Sequence, residues 1–424
     1  MLKTPHSLRL HLGIFGRTNV GKSSLLNFIT GQETAITSPH PGTTTDAVVK
    51  AMELLPLGPV LFLDTAGVDD VSVLAGSRLE ATGKIYDRTD IAVLVLEAGI
   101  WTGYEEEIVA ACRRRRIPCL AVVNKIDVAP ADGAFRKLLE EKASARLEVS
   151  CVSLPGKEPF LQSFTAALIE LCPEEFVAPP ALVGDLLRPG ETCVLIVPID
   201  LEAPKGRIIL PQVQAIRDLL DHGQAALTVK EDGYAAALAG LRRPPGLVVC
   251  DSQVVERMVR ETPPDVPCTT FSILFARWKG DLAEAVRAVK TVDSLGDGDR
   301  VLIAEACTHH PLEDDIGRIK IPRWMREYTG RNPAFDVVPG RAYPENLSDY
   351  RLVVHCGGCM ISRREVLLRV QRAREAGVPV TNYGVCISYL RGVLDRVVAP
   401  FGLSGPPQSG ISGSGGHPQR ASEE

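Results

Sequence analysis

The sequence predicts an α/β protein in which an N-terminal P-loop domain is followed by two smaller α/β domains. Three observations favour this fold. Short apolar runs typical of buried strands alternate with segments of helical periodicity along most of the chain. A glycine-rich phosphate loop stands between the first strand and the first helix. A proline-rich stretch with little periodicity follows this region. We therefore predict a P-loop domain over 1–174, a linker over 175–191, α/β domains over 192–290 and 291–403, and a disordered Gly/Ser/Pro-rich tail over 404–424.

The composition and charge of the chain limit the kinds of partner, nucleic acid or membrane, that we expect it to bind. The chain of 424 residues has 47 basic and 52 acidic side chains and a formal charge of −5, which argues against a protein that coats nucleic acid. No apolar run reaches the roughly 18 residues of a membrane span, and the N-terminus has no apolar signal-peptide core. We expect a soluble, cytoplasmic protein without membrane or nucleic-acid partners. Its 11 cysteines should then be reduced rather than paired in disulfides.

The first strand, LGIFG, leads into G-x-x-x-x-G-K-S over 16–23, and the helical segment SLLNFITG follows. Glycines at such a turn let backbone N–H groups surround phosphates at a helix N-terminus. We expect Lys22 to reach the β- and γ-phosphates and the Ser23 hydroxyl to hold Mg²⁺.

Three further motifs follow apolar strands in order. Asp64 and Gly67 close PVLFLDTAG, where a carboxylate suits the Mg²⁺ shell and a glycine N–H can meet the γ-phosphate. Asn124, Lys125 and Asp127 close CLAVVNKID, and the two oxygens of Asp127 can accept from N1–H and the 2-amino group of guanine. A buried carboxylate without those donors would be costly, which favours guanine over adenine. The pair Ser150–Cys151 then follows RLEV and is placed for backbone contact with the guanine carbonyl.

These four ordered motifs predict a Ras-like P-loop GTPase, and they resemble GTPases of the tRNA-modification (TrmE) and Era type. The segment PGTTTD over 41–46 looks like the first switch of that group, which implies that Thr44 binds Mg²⁺. Val68 stands where Ras-type enzymes carry a water-orienting Gln. The resemblance also implies that Asn19 helps to bind K⁺, although loop capping is the alternative role.

The predicted catalytic residues are Lys22, Thr44 and Gly67. The predicted nucleotide-contacting residues are Gly16, Asn19, Gly21, Lys22, Ser23, Ser24, Thr44, Asp64, Gly67, Asn124, Lys125, Asp127, Ser150 and Cys151.

The region from 192 alternates strands and helices without a ligand cluster or an activated nucleophile. We predict strands at TCVLIVPI, AALTV, GLVVC and TTFSIL, with helices between them. This composition leaves room for interaction or dimerisation.

Two soft-ligand motifs follow buried strands in the last region. Cys307 and His309 follow DRVLIAEA, and His355, Cys356 and Cys359 follow DYRLVV. If these strands are parallel neighbours, both motifs emerge at one edge of the sheet. PVTNYGVC is predicted as a third strand that brings Cys386 to the same edge. Structural zinc, a redox-active thiol pair and an iron–sulfur cluster held by three thiolates all remain open on spacing alone, and so does the alternative that these residues form no site.

The GTPase motifs joined to C-x-H…H-C-x-x-C resemble the [FeFe]-hydrogenase maturation GTPases, the HydF family, and the resemblance spans roughly residues 8–402. It implies a dimerisation domain, then a domain that binds a [4Fe–4S] cluster through Cys307, Cys356 and Cys359. His309 and His355 would be a fourth ligand or lie beside the cluster, and Glu313 and Asp314 are further candidates. It also implies a homodimeric carrier of a transient diiron precursor, with two radical-SAM maturases and apo-[FeFe]-hydrogenase as partners.

The resemblance implies GTP, GDP, Mg²⁺ and K⁺ as further cofactors, and GTP hydrolysis that acts as a conformational switch. Two alternatives stay open from the sequence. One is an RNA-directed GTPase of the Era/TrmE type with a zinc-stabilised accessory domain, and the other is a metal-insertion chaperone for another metalloenzyme.

Overall fold

The computed structural model describes residues 4–31, 48–64, 83–198, 208–306 and 315–403. Several sequence predictions lie outside these ranges: those on Thr44, Gly67, Val68, Cys307, His309, Glu313, Asp314 and the tail. The chain divides into two compact units. Unit 1 comprises residues 1–180 with the short segments 278–280 and 358–372, and unit 2 comprises 181–277, 281–357 and the residues from 373 onward.

Unit 1 is built on a six-stranded sheet in the order β2-β3-β1-β4-β5-β6, parallel except for β2. Apolar clusters cover both faces of this sheet, which explains why its strands are continuous apolar runs rather than alternating ones. The strands are β1 (Leu10–Phe15), β2 (Val48–Leu54), β3 (Gly58–Asp64), β4 (Ile91–Glu97), β5 (Cys119–Asn124) and β6 (Ala145–Glu148). The helices are α1 (Lys22–Thr30), α2 (Gly103–Arg114), α3 (Gly133–Lys142), α4 (Lys157–Leu171) and α5 (Glu174–Val177).

Unit 2 contains two four-stranded parallel sheets, ordered β10-β9-β7-β8 and β12-β11-β13-β14. One continuous apolar cluster joins residues of both sheets, from Val194 and Val248 to Ile303 and Val354. The strands are β7 (Thr192–Ile196), β8 (Ala225–Val229), β9 (Leu247–Cys250), β10 (Cys268–Thr270), β11 (Arg300–Ala304), β12 (Ala334–Val338), β13 (Leu352–His355) and β14 (Val380–Asn382).

The helices from α6 onward connect these strands, and two of them extend into the short segments of unit 1. They are α6 (Leu210–Asp221), α7 (Tyr234–Gly240), α8 (Val255–Glu261), α9 (Phe271–Lys279), α10 (Leu282–Ala288), α11 (Ile321–Thr329), α12 (Arg363–Glu375), α13 (Tyr383–Leu390) and α14 (Leu394–Val398). Among the described residues, none of the helices combines the length and apolarity needed to cross a membrane.

Two predicted strands are wrong in part because side chains cap a helix early. TTFSIL is a strand only to Thr270, whose hydroxyl accepts the Ile273 N–H at 3.2 Å as α9 begins. Likewise β14 ends at Asn382, whose side-chain oxygen accepts N–H bonds from Gly384 and Val385. Cys386 therefore lies in α13, fully buried, and not at the edge of the sheet.

Candidate functional site

The phosphate loop joins β1 to α1 through two glycines with positive φ, +147° at Gly16 and +96° at Gly21. A Cβ at Gly16 would lie 2.3 Å from the Val95 carbonyl oxygen, and one at Gly21 would lie 2.2 Å from Nδ2 of Asn124. Because side chains fit neither the space nor the backbone angle, glycine is required at both positions. The loop is therefore packed closely against the ends of β4 and β5.

The Lys22 ammonium group lies inside the curve of this loop. Its Nζ donates to the carbonyl oxygens of Gly16 at 2.6 Å and Arg17 at 3.0 Å, and the residue is only 6% exposed. Ser23 and Ser24 follow at the start of α1 and are exposed. The loop thus presents a lysine and two hydroxyl groups at a helix N-terminus, the arrangement that binds a phosphate with its metal ion.

Asn124, at the end of β5, ties three segments of the nucleotide site together. Its Nδ2 donates to the Val20 carbonyl at 3.0 Å, and its Oδ1 accepts the Cys151 N–H at 3.3 Å. Lys125, with φ of +61°, donates from Nζ to the Asn19 carbonyl at 2.7 Å and forms an ion pair with Glu97. The motif at the end of β5 therefore holds the phosphate loop in place.

The remaining described nucleotide residues lie at the same edge of the sheet. Asp64 is the last residue of β3, pairs in register with Ile14 of β1 and is 1% exposed. Ser150 is buried, whereas Asp127 is exposed, so the prediction of a buried carboxylate at this position is wrong. Asn19 is exposed, with φ of +68°. The structure brings together, at the carboxyl ends of the strands, all the predicted nucleotide residues that it describes.

An ion pair between Arg17 of the phosphate loop and Glu105 of α2 was not predicted from the sequence. The Arg17 Nε donates to the fully buried Glu105 at 2.7 Å, and Glu105 also accepts from the N–H and hydroxyl of Thr102. Burial raises the pKa of Glu105, but the Thr102 and Arg17 hydrogen bonds outweigh it and hold that pKa below its usual range. The capping box Thr102–Glu105 is a local signal that could have been found, while its pairing with Arg17 spans 88 positions.

Residues 356–362, between β13 and α12, carry Cys356 and Cys359 and are called the cysteine loop below. The first part of this loop belongs to unit 2. His355 ends β13, is 4% exposed and contacts the Cys356 carbonyl through Nδ1 at 2.6 Å, so Nδ1 carries a proton. The Cys356 Sγ accepts the Ala306 N–H at 3.1 Å. Because β11 and β13 are parallel neighbours with Ala304 opposite His355, the prediction of a shared edge is confirmed for the strands. Cys307, next after Ala306, lies outside the described residues.

The second part of the loop belongs to unit 1. The Cys359 carbonyl accepts from the Ser7 hydroxyl at 2.7 Å, and the Lys279 ammonium donates to the neighbouring Gly358 carbonyl at 2.9 Å. Burial raises the pKa of the Cys359 thiol, and the Lys279 charge opposes that rise. No pattern in the sequence connects Ser7 or Lys279 to this loop.

A thiol that accepts a backbone N–H bond is an arrangement found at iron–sulfur ligands, where such bonds tune the cluster. Within the ranges that the structure covers, no group of three His, Cys, Asp or Glu residues is placed to hold a metal ion. Cys386 is a core residue there, and burial raises the pKa of its thiol to about 12. The described donor set is therefore two thiols three residues apart in one loop, with a histidine before them.

The fold and the phosphate loop define the first domain as a P-loop GTPase domain, and residues 11–125 match the family model of the 50S ribosome-binding GTPases. Residues 182–280 match the hydrogen maturase F dimerization domain, and residues 283–400 match the hydrogen maturase F tetramerization domain. The last two models together cover just over half of the chain. The chain therefore belongs to the hydrogen maturase F family.

Curated relatives resemble the chain mainly in its first domain. The tRNA modification GTPase MnmE of Synechococcus sp. is 42% identical over 125 residues, which are 28% of this chain and 26% of that protein. GTPase Era of Stenotrophomonas maltophilia is 32% identical over 190 residues, 43% of this chain and 61% of that protein. The chain thus spans about a quarter of the length of the tRNA modification GTPase.

Among solved structures, Era of Aquifex aeolicus bound to GDP and aluminium fluoride is similar at 21% identity with a TM-score of 0.32. That match covers 59% of this chain and 97% of the Era chain.

Proposed function

We propose that this protein is a GTP-hydrolysing scaffold that assembles and delivers the diiron subcluster of [FeFe]-hydrogenase, and that it holds a [4Fe–4S] cluster through Cys307, Cys356 and Cys359. The observation that carries the proposal is the union of a GTPase domain with two hydrogen maturase F domains in one chain. The sheet β12-β11-β13-β14 supports it, because at its edge the Cys356 Sγ accepts the N–H of Ala306, the residue directly before Cys307.

The nucleotide site fits GTP or GDP with Mg²⁺. Lys22 would bind the terminal phosphates, Ser23 would hold the metal ion and Asp64 would lie behind it, while Asp127 would read guanine. Thr44 and Gly67 would complete the γ-phosphate contacts. We assign hydrolysis to a conformational switch rather than to chemistry at the cluster.

Three thiolates would leave one iron of the cluster with an exchangeable position, which suits a carrier whose cargo must arrive and leave. His355 would contribute from the side, because its Nδ1 is hydrogen-bonded to the Cys356 carbonyl and this bond orients the ring next to the first cysteine. His309 is the other candidate. Two radical-SAM maturases would supply the ligands of the diiron precursor, and apo-hydrogenase would receive the product.

The matched dimerization and tetramerization models support a homo-oligomeric protein. We propose that the protein is a homodimer. The match to the tetramerization domain makes a tetramer the alternative, and a mass measurement in solution distinguishes the two.

The cluster is tested by the Cys356→Ala variant. After anaerobic reconstitution with iron and sulfide, we expect the dithionite-reduced wild type to give the EPR signal of a [4Fe–4S]⁺ cluster and the variant to lose it. Cys386→Ala is the matched control, because Cys386 is a buried core thiol of the same unit, and it should keep the signal. Tight zinc without any cluster in the wild type would contradict the proposal.

Potassium dependence is tested at Asn19. If Asn19 helps K⁺ to stabilise charge that develops on the phosphates, replacing Na⁺ by K⁺ should raise kcat by about tenfold or more. Asn19→Ala should remove the difference, while Thr18→Ala, an exposed neighbour in the same loop, should retain it. Equal rates of phosphate release in the two salts would exclude this role for the wild type.

A further inference from the structure

Lys279, the last residue of α9, is a buried cation in unit 1. It is 1% exposed, and its Nζ donates to the carbonyl oxygens of Gly358 at 2.9 Å and Ile361 at 2.7 Å. The Cys359 carbonyl lies 3.5 Å from the same nitrogen. Lysine is almost never fully buried unless its charge is compensated, because an ammonium group without hydrogen bonds loses its hydration. The carbonyls of Gly358 and Ile361 accept hydrogen bonds from this ammonium group and contribute to that compensation.

Two further features fix the conformation of the loop around Cys359. Gly358 turns the chain with a φ of +63°, which favours glycine. The Ser7 hydroxyl, just before β1, donates to the Cys359 carbonyl at 2.7 Å. Since the carbonyls of residues 358, 359 and 361 all face donors, the backbone on both sides of Cys359 is held, and with it the direction in which its side chain leaves.

Both segments around this contact are themselves anchored in unit 1. The Trp278 indole donates to the Pro180 carbonyl at 2.9 Å, and the Arg363 guanidinium donates to the Trp278 carbonyl at 3.0 Å. Further along α12, Arg364 donates to the Arg115 carbonyl at 2.9 Å. The residue before Lys279 and the helix α12 that follows the cysteine loop are therefore both held by hydrogen bonds within unit 1.

We propose that Lys279 is the positioning residue of the cysteine loop: its ammonium group, with the Ser7 hydroxyl, holds the carbonyls of residues 358–361 so that the Cys359 thiol is set in place before any metal arrives. The loop-ordering part stands on these contacts alone, and its use for cluster binding rests on the function proposed above. A preorganised thiol lowers the entropic cost of assembling a multi-ligand site.

The test is hydrogen exchange of the metal-free full-length chain, measured on peptides that cover residues 358–362. Bonds to a charged donor are worth enough that Lys279→Met should speed exchange there by about tenfold or more. Lys290→Met, which removes an exposed lysine, should leave it unchanged. A loop-specific role predicts that exchange in β4 stays as in the wild type, whereas general destabilisation would accelerate both regions and overturn the proposal.

Ser7→Ala provides a milder variant if Lys279→Met does not fold. It removes one neutral hydrogen bond to the Cys359 carbonyl and should speed exchange of the same peptides by about fivefold. Unchanged exchange in both variants would refute the positioning role.

After reconstitution, Lys279→Met should lose iron to a chelator about tenfold faster than Lys290→Met. Equal rates would overturn the link to the cluster. A wild-type chain that takes up no cluster would contradict the proposed function, and the exchange contrast would still decide whether Lys279 orders the loop.

Discussion

Replacing Lys22 by methionine is expected to lower kcat/KM for GTP hydrolysis by at least about a hundredfold, the loss found when one preorganised charge is removed from a phosphoryl-transfer site. The ammonium group is already held in the phosphate loop by the Gly16 and Arg17 carbonyls, so no reorganisation is needed when phosphate binds. Methionine keeps the length of the stem and removes the charge. Phosphate release under single-turnover conditions measures the effect.

Lys137→Met is the matched control for that variant, because Lys137 is an exposed lysine on α3 of the same unit. It should hydrolyse GTP like the wild type. If the Lys22 variant retained more than a tenth of the wild-type kcat/KM, the P-loop assignment of this lysine would be wrong.

Asp127→Asn should change the base preference of the nucleotide site from guanine to xanthine. The carboxylate accepts from N1–H and the 2-amino group of guanine, whereas an Asn side chain can donate to the 2-carbonyl of xanthine. We expect GTP affinity to fall by at least about a hundredfold, since a donor of the base then faces a donor of the protein, and XTP affinity to rise correspondingly. Titration with fluorescent GDP and XDP analogues measures both changes.

Because Asp127 is exposed, its replacement should not disturb the fold, and the melting temperature serves to confirm this. Asp265→Asn changes an exposed carboxylate of unit 2 in the same way and should leave nucleotide affinity unchanged. An Asp127→Asn chain that still prefers GTP over XTP would show that another residue reads the base.

Features of the fold that depend on residues close together in the sequence could be predicted. Apolar runs placed β1, β3 and β5, because a strand covered on both faces must be apolar throughout. Glycine spacing placed the phosphate loop, because Gly16 and Gly21 take backbone angles that other residues avoid. The shared edge of the two cysteine motifs was predicted on the condition that β11 and β13 are parallel neighbours, and their pairing meets that condition.

The features that escaped prediction depend on contacts distant in sequence or on a single capping side chain. An apolar run such as FSIL suits a strand or a buried helix equally, and the Thr270 cap decided for the helix. Asn382 likewise ended β14 before Cys386 and placed that thiol in the core. Lys279 reaches a loop 79 positions away, a pairing to which no local periodicity points.

The metal content after anaerobic reconstitution decides whether a GTPase and an iron–sulfur scaffold are parts of one chain. The full-length protein should hold about four iron and four acid-labile sulfide per chain, as a single [4Fe–4S] cluster requires. Cys356→Ala should lose them and still hydrolyse GTP. A wild-type chain that holds zinc and no sulfide would show that the protein is not an iron–sulfur scaffold. A Cys356→Ala chain with undiminished iron and sulfide would show that Cys356 is not a ligand of the cluster.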